Sequence, residues 1–425
     1  MENFESFNLH PKVMDGVRAM GYTKPTPIQE KAIPVIMQGS DIIGLAQTGT
    51  GKTAAFALPI IHRLIGGSKG KVRVLVISPT RELAEQTCHT FNDLAGQTGL
   101  KAVSIYGGVS MSMQIRNINR GVDVVVACPG RLLDHLWKGN INLSSLEVLV
   151  IDEADRMFDM GFLPDIRNIT RCIMNPRQTM LFSATMPTDI KKLVNEVLID
   201  PETVKIGMTA PAATVSHGLY PVDQQLKIPL LTELLYQTDS ESVLIFTRTK
   251  HRAERVTTHL KKLGFKVSSL QGNLTQFRRQ VALEGFRNGD YKILVATDIA
   301  ARGIDVLSIS HVINFDMPDT TDAYIHRIGR TGRVDRSGDA MTLVTRADNA
   351  AIVALERLLG RPIERKTLDN FDYSAAVEQR APALTARPIG ARSQPARHRL
   401  GTPAKNQGQA GSRPGWRPWY SKTPA

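Results

Sequence analysis

Short apolar, β-branched runs recur through the first half of the chain, at residues 41–45, 72–78, 103–106, 123–128, 148–151 and 179–183. Runs of that length and composition predict strands. Residues 82–94 and 165–173, which lie between them, carry helical spacing instead. A second series follows the same plan. Residues 243–246, 267–270, 293–296, 311–315 and 341–344 read as strands, and 252–263 and 322–328 as helices. Strand alternating with helix predicts a parallel sheet with helices on both faces. The register breaks at 207–218, where MTAPAATVSH is small, Pro-containing and non-periodic, and this reads as a linker. The fold class is therefore α/β, with two tandem parallel-sheet domains at 1–207 and 220–371 joined by a linker at 208–219.

The pattern weakens after about Phe371. From Ser374 onward Pro, Gly, Ala, Gln and Arg dominate, and Glu378 is the only acid. Such a segment buries too little apolar surface to offset its ordering entropy, so 372–425 is expected to be a disordered basic tail. Trp416, Trp419 and Tyr420 lie among its arginines. Aromatic rings in that setting stack on bases, at roughly 1–3 kcal/mol each.

A length of 425 residues suits two ordinary domains better than one core, and 42% hydrophobic with 22% charged residues is a globular composition. The net charge of +13 favours a polyanionic partner without identifying it. Cys88, Cys128 and Cys172 lie far apart with no CxxC pair, which argues against a zinc site or a disulfide scaffold. The first residues, MENFESFNLHPKVM, hold early acids and no apolar core of a leader, and no run reaches the length of a membrane span. A soluble, cytoplasmic protein is expected.

Two segments carry chemistry. AQTGTGKT, at 46–53, follows a strand and opens a helix. Its glycines let backbone N–H groups approach phosphate oxygens, Lys52 reaches the β- and γ-phosphates, and the Thr53 hydroxyl ligates Mg²⁺. Ala46 stands where the strict pattern has glycine. VLVIDEAD, at 148–155, ends an apolar strand in acids. Asp152 is placed to hold the metal and Glu153 to orient and deprotonate the attacking water. Together they specify an ATPase or GTPase.

With PTRELA at 79–84, SAT at 183–185 and HRIGRTGR at 326–333, these segments resemble the motif set of the DEAD-box RNA helicases, in that family's order. The resemblance runs from Phe4 to about Val344, and the short basic tail is similar to that of the bacterial RhlE-like branch. It implies two RecA-like domains and an ATP-dependent RNA helicase, with RNA-stimulated ATP hydrolysis coupled to domain closure and local unwinding. An ATP-gated RNA clamp with incidental unwinding uses the same motifs. A DNA-directed ATPase of the superfamily fits less well, because GYTKPTPIQ at 21–29 resembles the family's adenine-reading segment.

The resemblance also assigns residues. Gln29 and Tyr22 belong to that adenine-reading segment, and Phe4, seventeen residues before Gly21, matches the aromatic that stacks on the base. Gln47, Thr48, Gly49, Thr50, Gly51, Lys52 and Thr53 surround the phosphates, and Asp305 matches a ribose contact. Arg330 and Arg333 match arginine fingers, worth about 10³–10⁵ in rate. Asp155, Ser183, Thr185 and His326 match the positions that couple the domains. The RNA set is Pro79, Thr80, Arg81, Gly107, Gly108, Gly130 and Arg131, then Thr247, Arg248, Gly272, Thr297 and Asp298. Arg for phosphate, Gly for close approach and hydroxyls for 2′-OH suit backbone recognition with little sequence specificity. Cys128 stands where the family usually has Thr, and Gln271 where His is frequent. Ribosomal precursors and an RNA-degradation complex are both compatible partners.

Overall fold

The computed structural model describes residues 3–47, 49–175, 177–206, 215–238, 242–301, 309–331 and 338–374. Its strands form two seven-stranded sheets, every pairing parallel. The first holds β1 (Ile42–Leu45), β2 (Val74–Ile77), β3 (Ala102–Ile105), β4 (Val124–Ala127), β5 (Val148–Ile151), β6 (Gln178–Ser183) and β7 (Glu202–Lys205), in the order β3-β4-β2-β5-β6-β1-β7. The second holds β8 (Val215–Pro221), β9 (Val243–Thr247), β10 (Val267–Leu270), β11 (Ile293–Thr297), β12 (His311–Asn314), β13 (Gly338–Val344) and β14 (Glu364–Arg365), in the order β10-β11-β9-β12-β13-β8-β14. Counted from its own first strand, each sheet has the same order, 3-4-2-5-6-1-7. The expected pair of tandem RecA-like folds is what the chain forms.

Strand alternation explains why the central runs are apolar throughout. Val74, Val76, Val124, Val126, Val148, Val150, Met180 and Phe182 pack in the core on one face of the first sheet. Leu75, Ile77, Val125, Ala127, Leu149, Ile151 and Leu181 pack in the core on the other. Successive side chains point to opposite faces, so a strand covered on both sides needs an apolar residue at every position. The second sheet repeats this, with Val243 and Ile245 on one face and Leu244 and Phe246 on the other. Burying each such side chain contributes about 1.5–3 kcal/mol.

Edge strands β3 and β10 are only partly buried yet were read from their sequence, whereas three other strands were absent from that reading. β7 buries only Val204 among its four residues, as an edge strand can. β8 begins at Val215, inside the segment read as linker to 219; Gly218 sits within the strand rather than ending it. β14 is two exposed residues. No helix among the described residues is long and apolar enough to cross a membrane.

Candidate active site and nucleic-acid face

The phosphate-loop candidate joins β1 to the helix Lys52–Leu64. Gly49 and Gly51 hold φ of 85° and 88°, a left-handed backbone that glycine adopts without strain. Gly51 also has a steric role: a Cβ there would lie 2.5 Å from Gln29 Nε2. Gln29 Nε2 donates to Gly51 O at 3.1 Å, while Gln29 Oε1 accepts from Thr26 N at 2.9 Å. The adenine-reading candidate therefore braces the loop directly. Thr50 Oγ1 donates to Gln47 O at 2.7 Å, and the buried Lys52 donates through Nζ to Ala46 O at 2.8 Å. Thr53 is half-buried one residue further along the helix. Phe4, expected to stack on a base, is 2% exposed and stacks on Tyr22, with Phe7 edge-on. Of these three rings only Tyr22 reaches the surface.

The carboxylates follow β5, which pairs with β6, and β1 lies on the far side of β6. Asp152 is buried and its Oδ1 has no hydrogen-bond partner among the described residues. Burial, then the Glu153 charge, pushes its pKa up to about 7, with Lys52 opposing. Glu153 holds the left-handed φ of 54° that glycine favours, and a short bond from Arg156 ties its carboxylate. Asp155 Oδ2 accepts from Ala184 N at 3.0 Å, Thr185 N at 2.8 Å and Thr185 Oγ1 at 3.2 Å. Ser183 Oγ accepts from Asp155 N at 3.2 Å. Burial alone would raise the Asp155 pKa, but the Lys52 charge and the Thr185 bond outweigh it and hold the group ionised.

A cavity of about 650 Å³ lies against this cluster, lined by Asp155, Arg156 and Thr185 and, from the second sheet's side, by Asp298, His326, Arg327 and Arg330. His326 is held below its ordinary pKa by burial and then by Arg156, with Asp155 pulling the other way. Three of the four coupling candidates, Asp155, Thr185 and His326, thus meet around one space, and the buried Ser183 supports Asp155 from behind. Thr48, Asp305 and Arg333 lie outside the described residues, as do 208–214 of the expected linker and the tail from 375 onward.

The RNA candidates occupy the other half of each sheet. Pro79, Thr80 and Arg81 follow β2, Gly107 and Gly108 follow β3, and Gly130 and Arg131 follow β4. In the second sheet Thr247 and Arg248 lie at the end of β9, Gly272 after β10, and Thr297 and Asp298 at the end of β11. These are the same three strand positions in both sheets. Thr80 caps the helix Arg81–Ala95 and Thr249 caps Lys250–Lys262, by the same hydroxyl-to-amide bond. The Arg81 guanidinium packs over Gly107 and Gly108; a Cβ on Gly108 would meet its Nη1 at 2.4 Å. Arg131 is held by Val109 O and Gln114 Oε1, both at 3.1 Å.

Asp298 also has a partner in its own half of the chain. Its two oxygens accept from Arg327 Nε and Nη2, both at 2.6 Å. This carboxylate therefore holds Arg327 in place at the end of β11. Arg327 also donates to Asn314 Oδ1 and Asp316 O, and lies over the Phe246 ring. Sequence reasoning passed over Arg327, although it sits inside HRIGRTGR. The links between sheets were equally invisible. Arg279 Nη2 pairs with Glu82 Oε1 at 2.7 Å, and Arg81 Nη1 donates to Gln276 Oε1 at 3.2 Å.

Two sheets of one topology, the first carrying a glycine-bent loop and a buried lysine among strand-end carboxylates, define a tandem RecA-like nucleoside triphosphatase. Residues 26–193 match the family model of the DEAD/DEAH box helicases, and 226–335 that of the helicase conserved C-terminal domain. The chain is 38% identical over 377 residues to the DEAD-box ATP-dependent RNA helicase CshA of Bacillus subtilis, covering 88% of this chain and 76% of that one. It is 42% identical over 369 residues to the RNA helicase CrhR of Synechocystis, covering 86% and 75%. Its fold is similar to that of S. cerevisiae Dbp5 bound to RNA and ADP BeF3, with a TM-score of 0.79 and 29% identity over 86% of this chain and 96% of that one. The chain belongs to the DEAD-box ATP-dependent RNA helicases.

Proposed function

We propose that this chain hydrolyses ATP at the β1, β5 and β6 ends of the first sheet and uses closure of the second sheet to strain RNA bound across β2–β4 and β9–β11. One observation carries the reading: the nucleotide and RNA candidates occupy different strand ends of one sheet, while Asp155, Thr185, His326 and Arg330 line one cavity. Ligands of open α/β sheets bind at the carboxyl ends of strands, which is where both sets lie.

In this reading Gly49 and Gly51 shape the loop, Lys52 neutralises phosphate charge, and Glu153, held by Arg156, takes a proton from the attacking water. Mg²⁺, when bound with the nucleotide, neutralises charge between the β- and γ-phosphates. Thr53 and Asp152 would hold it, and the unpartnered, buried Asp152 Oδ1 is the kind of oxygen donor a hard dication takes. Arg330 reaches the transferring phosphoryl group only when the sheets are together, so ATP affinity and closure are coupled. Arg333 and Asp305 join this set by resemblance. Backbone contacts hold one strand in a bent path that a duplex cannot follow. Opening ten pairs costs on the order of 14 kcal/mol at about 1.4 kcal/mol per step, so one closure frees a few pairs and the rest melt. The short basic tail supports the RhlE-like branch and a tether to structured RNA. The three free cysteines support a reducing, cytoplasmic setting. Ribosomal precursors and transcripts under degradation are the proposed substrates.

Steady-state ATP hydrolysis without nucleic acid, with single-stranded RNA and with matched DNA tests this, beside a Glu153→Gln control. Stimulation by RNA alone, lost in the control, is expected. Equal stimulation by DNA overturns the RNA reading, and unwinding of hundreds of pairs per binding event overturns local strand separation. Slow release from RNA with a nonhydrolysable analogue, and no strand separation during turnover, selects the clamp.

A further inference from the structure

Phe277 has no part in the sets described above. It lies in the first turn of the helix Gln276–Arg287 and is 75% exposed, with Val281, one turn on, exposed as well. Single exposed apolar side chains are ordinary; the surroundings of this one are not. Gln276 beside it accepts from Arg81, and Arg279 two residues on pairs with Glu82, so the first turn is pinned against the PTRELA segment. Helical side chains lean toward the helix N-terminus. Phe277 therefore leans back toward the loop 271–275, which contains Gly272 of the RNA set. Lys250 donates to Asn273 of that loop at 2.9 Å. From Gly272 to Leu283 there is no acid, and beside the paired Arg279 the segment carries Arg278, which suits a polyanion.

We infer that Phe277 is a base-stacking platform at the edge of the RNA cleft, occupied by an unpaired nucleotide of the bound strand. The inference rests on the RNA reading proposed above and adds to it. The backbone contacts of the RNA set hold phosphate and ribose and leave the bases untouched. A flat, exposed ring offers the one surface that every base can use, because every base has a π-face. A base inside a duplex is already stacked and has no free face to give. The platform therefore favours a strand that has left its partner, and delays its return.

The test uses the full chain, a nonhydrolysable ATP analogue and single-stranded RNA carrying 2-aminopurine at successive positions. The wild type is expected to quench emission at one position. Phe277→Ala loses that quench and binds the RNA roughly 5- to 100-fold more weakly, the span of one stacking contact. Its salt dependence stays unchanged because no phosphate contact is removed, whereas Arg81→Ala lowers the salt slope by about one. Phe277→Tyr keeps both quench and affinity, and equal thermal midpoints for the three proteins exclude misfolding. Wild-type quench and affinity in Phe277→Ala overturn the inference. So does a change confined to self-association, which would make this a protein surface. Failure of the wild type to bind RNA at all overturns the underlying cleft reading, and is told apart because it appears before any variant is compared.

Discussion

Gly51 answers to two constraints at once, a positive φ and a Gln29 amide 2.5 Å from where a Cβ would sit. Gly51→Ala is expected to displace Gln29 and the loop together and weaken nucleotide binding at least about tenfold, read by titration with a fluorescent ATP analogue. Glu153→Gln removes the proton acceptor while keeping the shape. Its kcat should fall about 10²- to 10⁴-fold with nucleotide and RNA affinity retained. Cys128 opens the helix Pro129–Trp137 without any side-chain cap, and burial, followed by the Glu82 charge, pushes its thiol up to about 12. A hydroxyl caps that helix where a thiol does not. Cys128→Thr should therefore stabilise the fold by about 1 kcal/mol in denaturant titration. At this scale Lys52, Asp152 and Glu153 were legible because a loop between strand and helix dictates their neighbours locally. The Phe4–Tyr22 stack and the Asp298–Arg327 pair were not, since the partners are eighteen and twenty-nine positions apart.

Among elements, legibility followed burial. β2, β4 and β5 are apolar at every position because both faces are covered, and each was read as a strand. β7 at the edge of the first sheet, and β14 with its neighbour β8 at the edge of the second, carry too few apolar positions or a misleading glycine. Contacts between elements leave no local pattern at all. The pair Arg279–Glu82, with both side chains largely buried, joins the helix Gln276–Arg287 to the helix Arg81–Ala95. Removing one partner leaves an uncompensated charge, a loss of up to about 3–5 kcal/mol when fully buried. Arg279→Glu is therefore expected to depress RNA-stimulated ATP turnover tenfold or more. The double variant Arg279→Glu with Glu82→Arg should recover much of it, read as a double-mutant cycle. Equal turnover in both single variants and wild type would remove this pair from the closing mechanism.

Across the whole molecule the histidines act together. His62, His135, His217, His311 and His326 are all held below the ordinary imidazole value, in each case by burial first. The fold therefore keeps them neutral, whereas the unfolded chain takes up protons near pH 6.5. Below that pH the unfolded state binds more protons than the folded one, so stability falls as pH falls, down to the lowered folded values. Asp152, raised to about 7 by burial and then by Glu153, works in the opposite direction, so Asp152→Asn should steepen the acid decline. The thermal midpoint should be nearly level above about pH 7 and decline from about pH 6.5 downward; a midpoint that rises on acidification would contradict this.

The repeated strand order has a counterpart in side chains. Lys52 is the first residue of the helix after the first strand of its sheet, and Lys227 the first residue of the helix after the first strand of the other. Asp152 follows the fifth strand of the first sheet, and Asp316 stands just beyond the fifth strand of the second. Lys227 is buried, its Nζ donating to Phe315 O and Leu343 O at 2.9 Å each and lying 3.9 Å from Asp316. On the first sheet's side Lys52 lies beside the candidate phosphate loop, donating to Ala46 O, and on the second's Lys227 is sealed into the interior. The second sheet's side brings Arg330 to the cavity that Asp155 and Thr185 line. Two separate chains would have to meet by diffusion to do this. Joined in one polypeptide, they face each other at an effective concentration on the order of millimolar, so a single molecule can complete the cycle at any dilution.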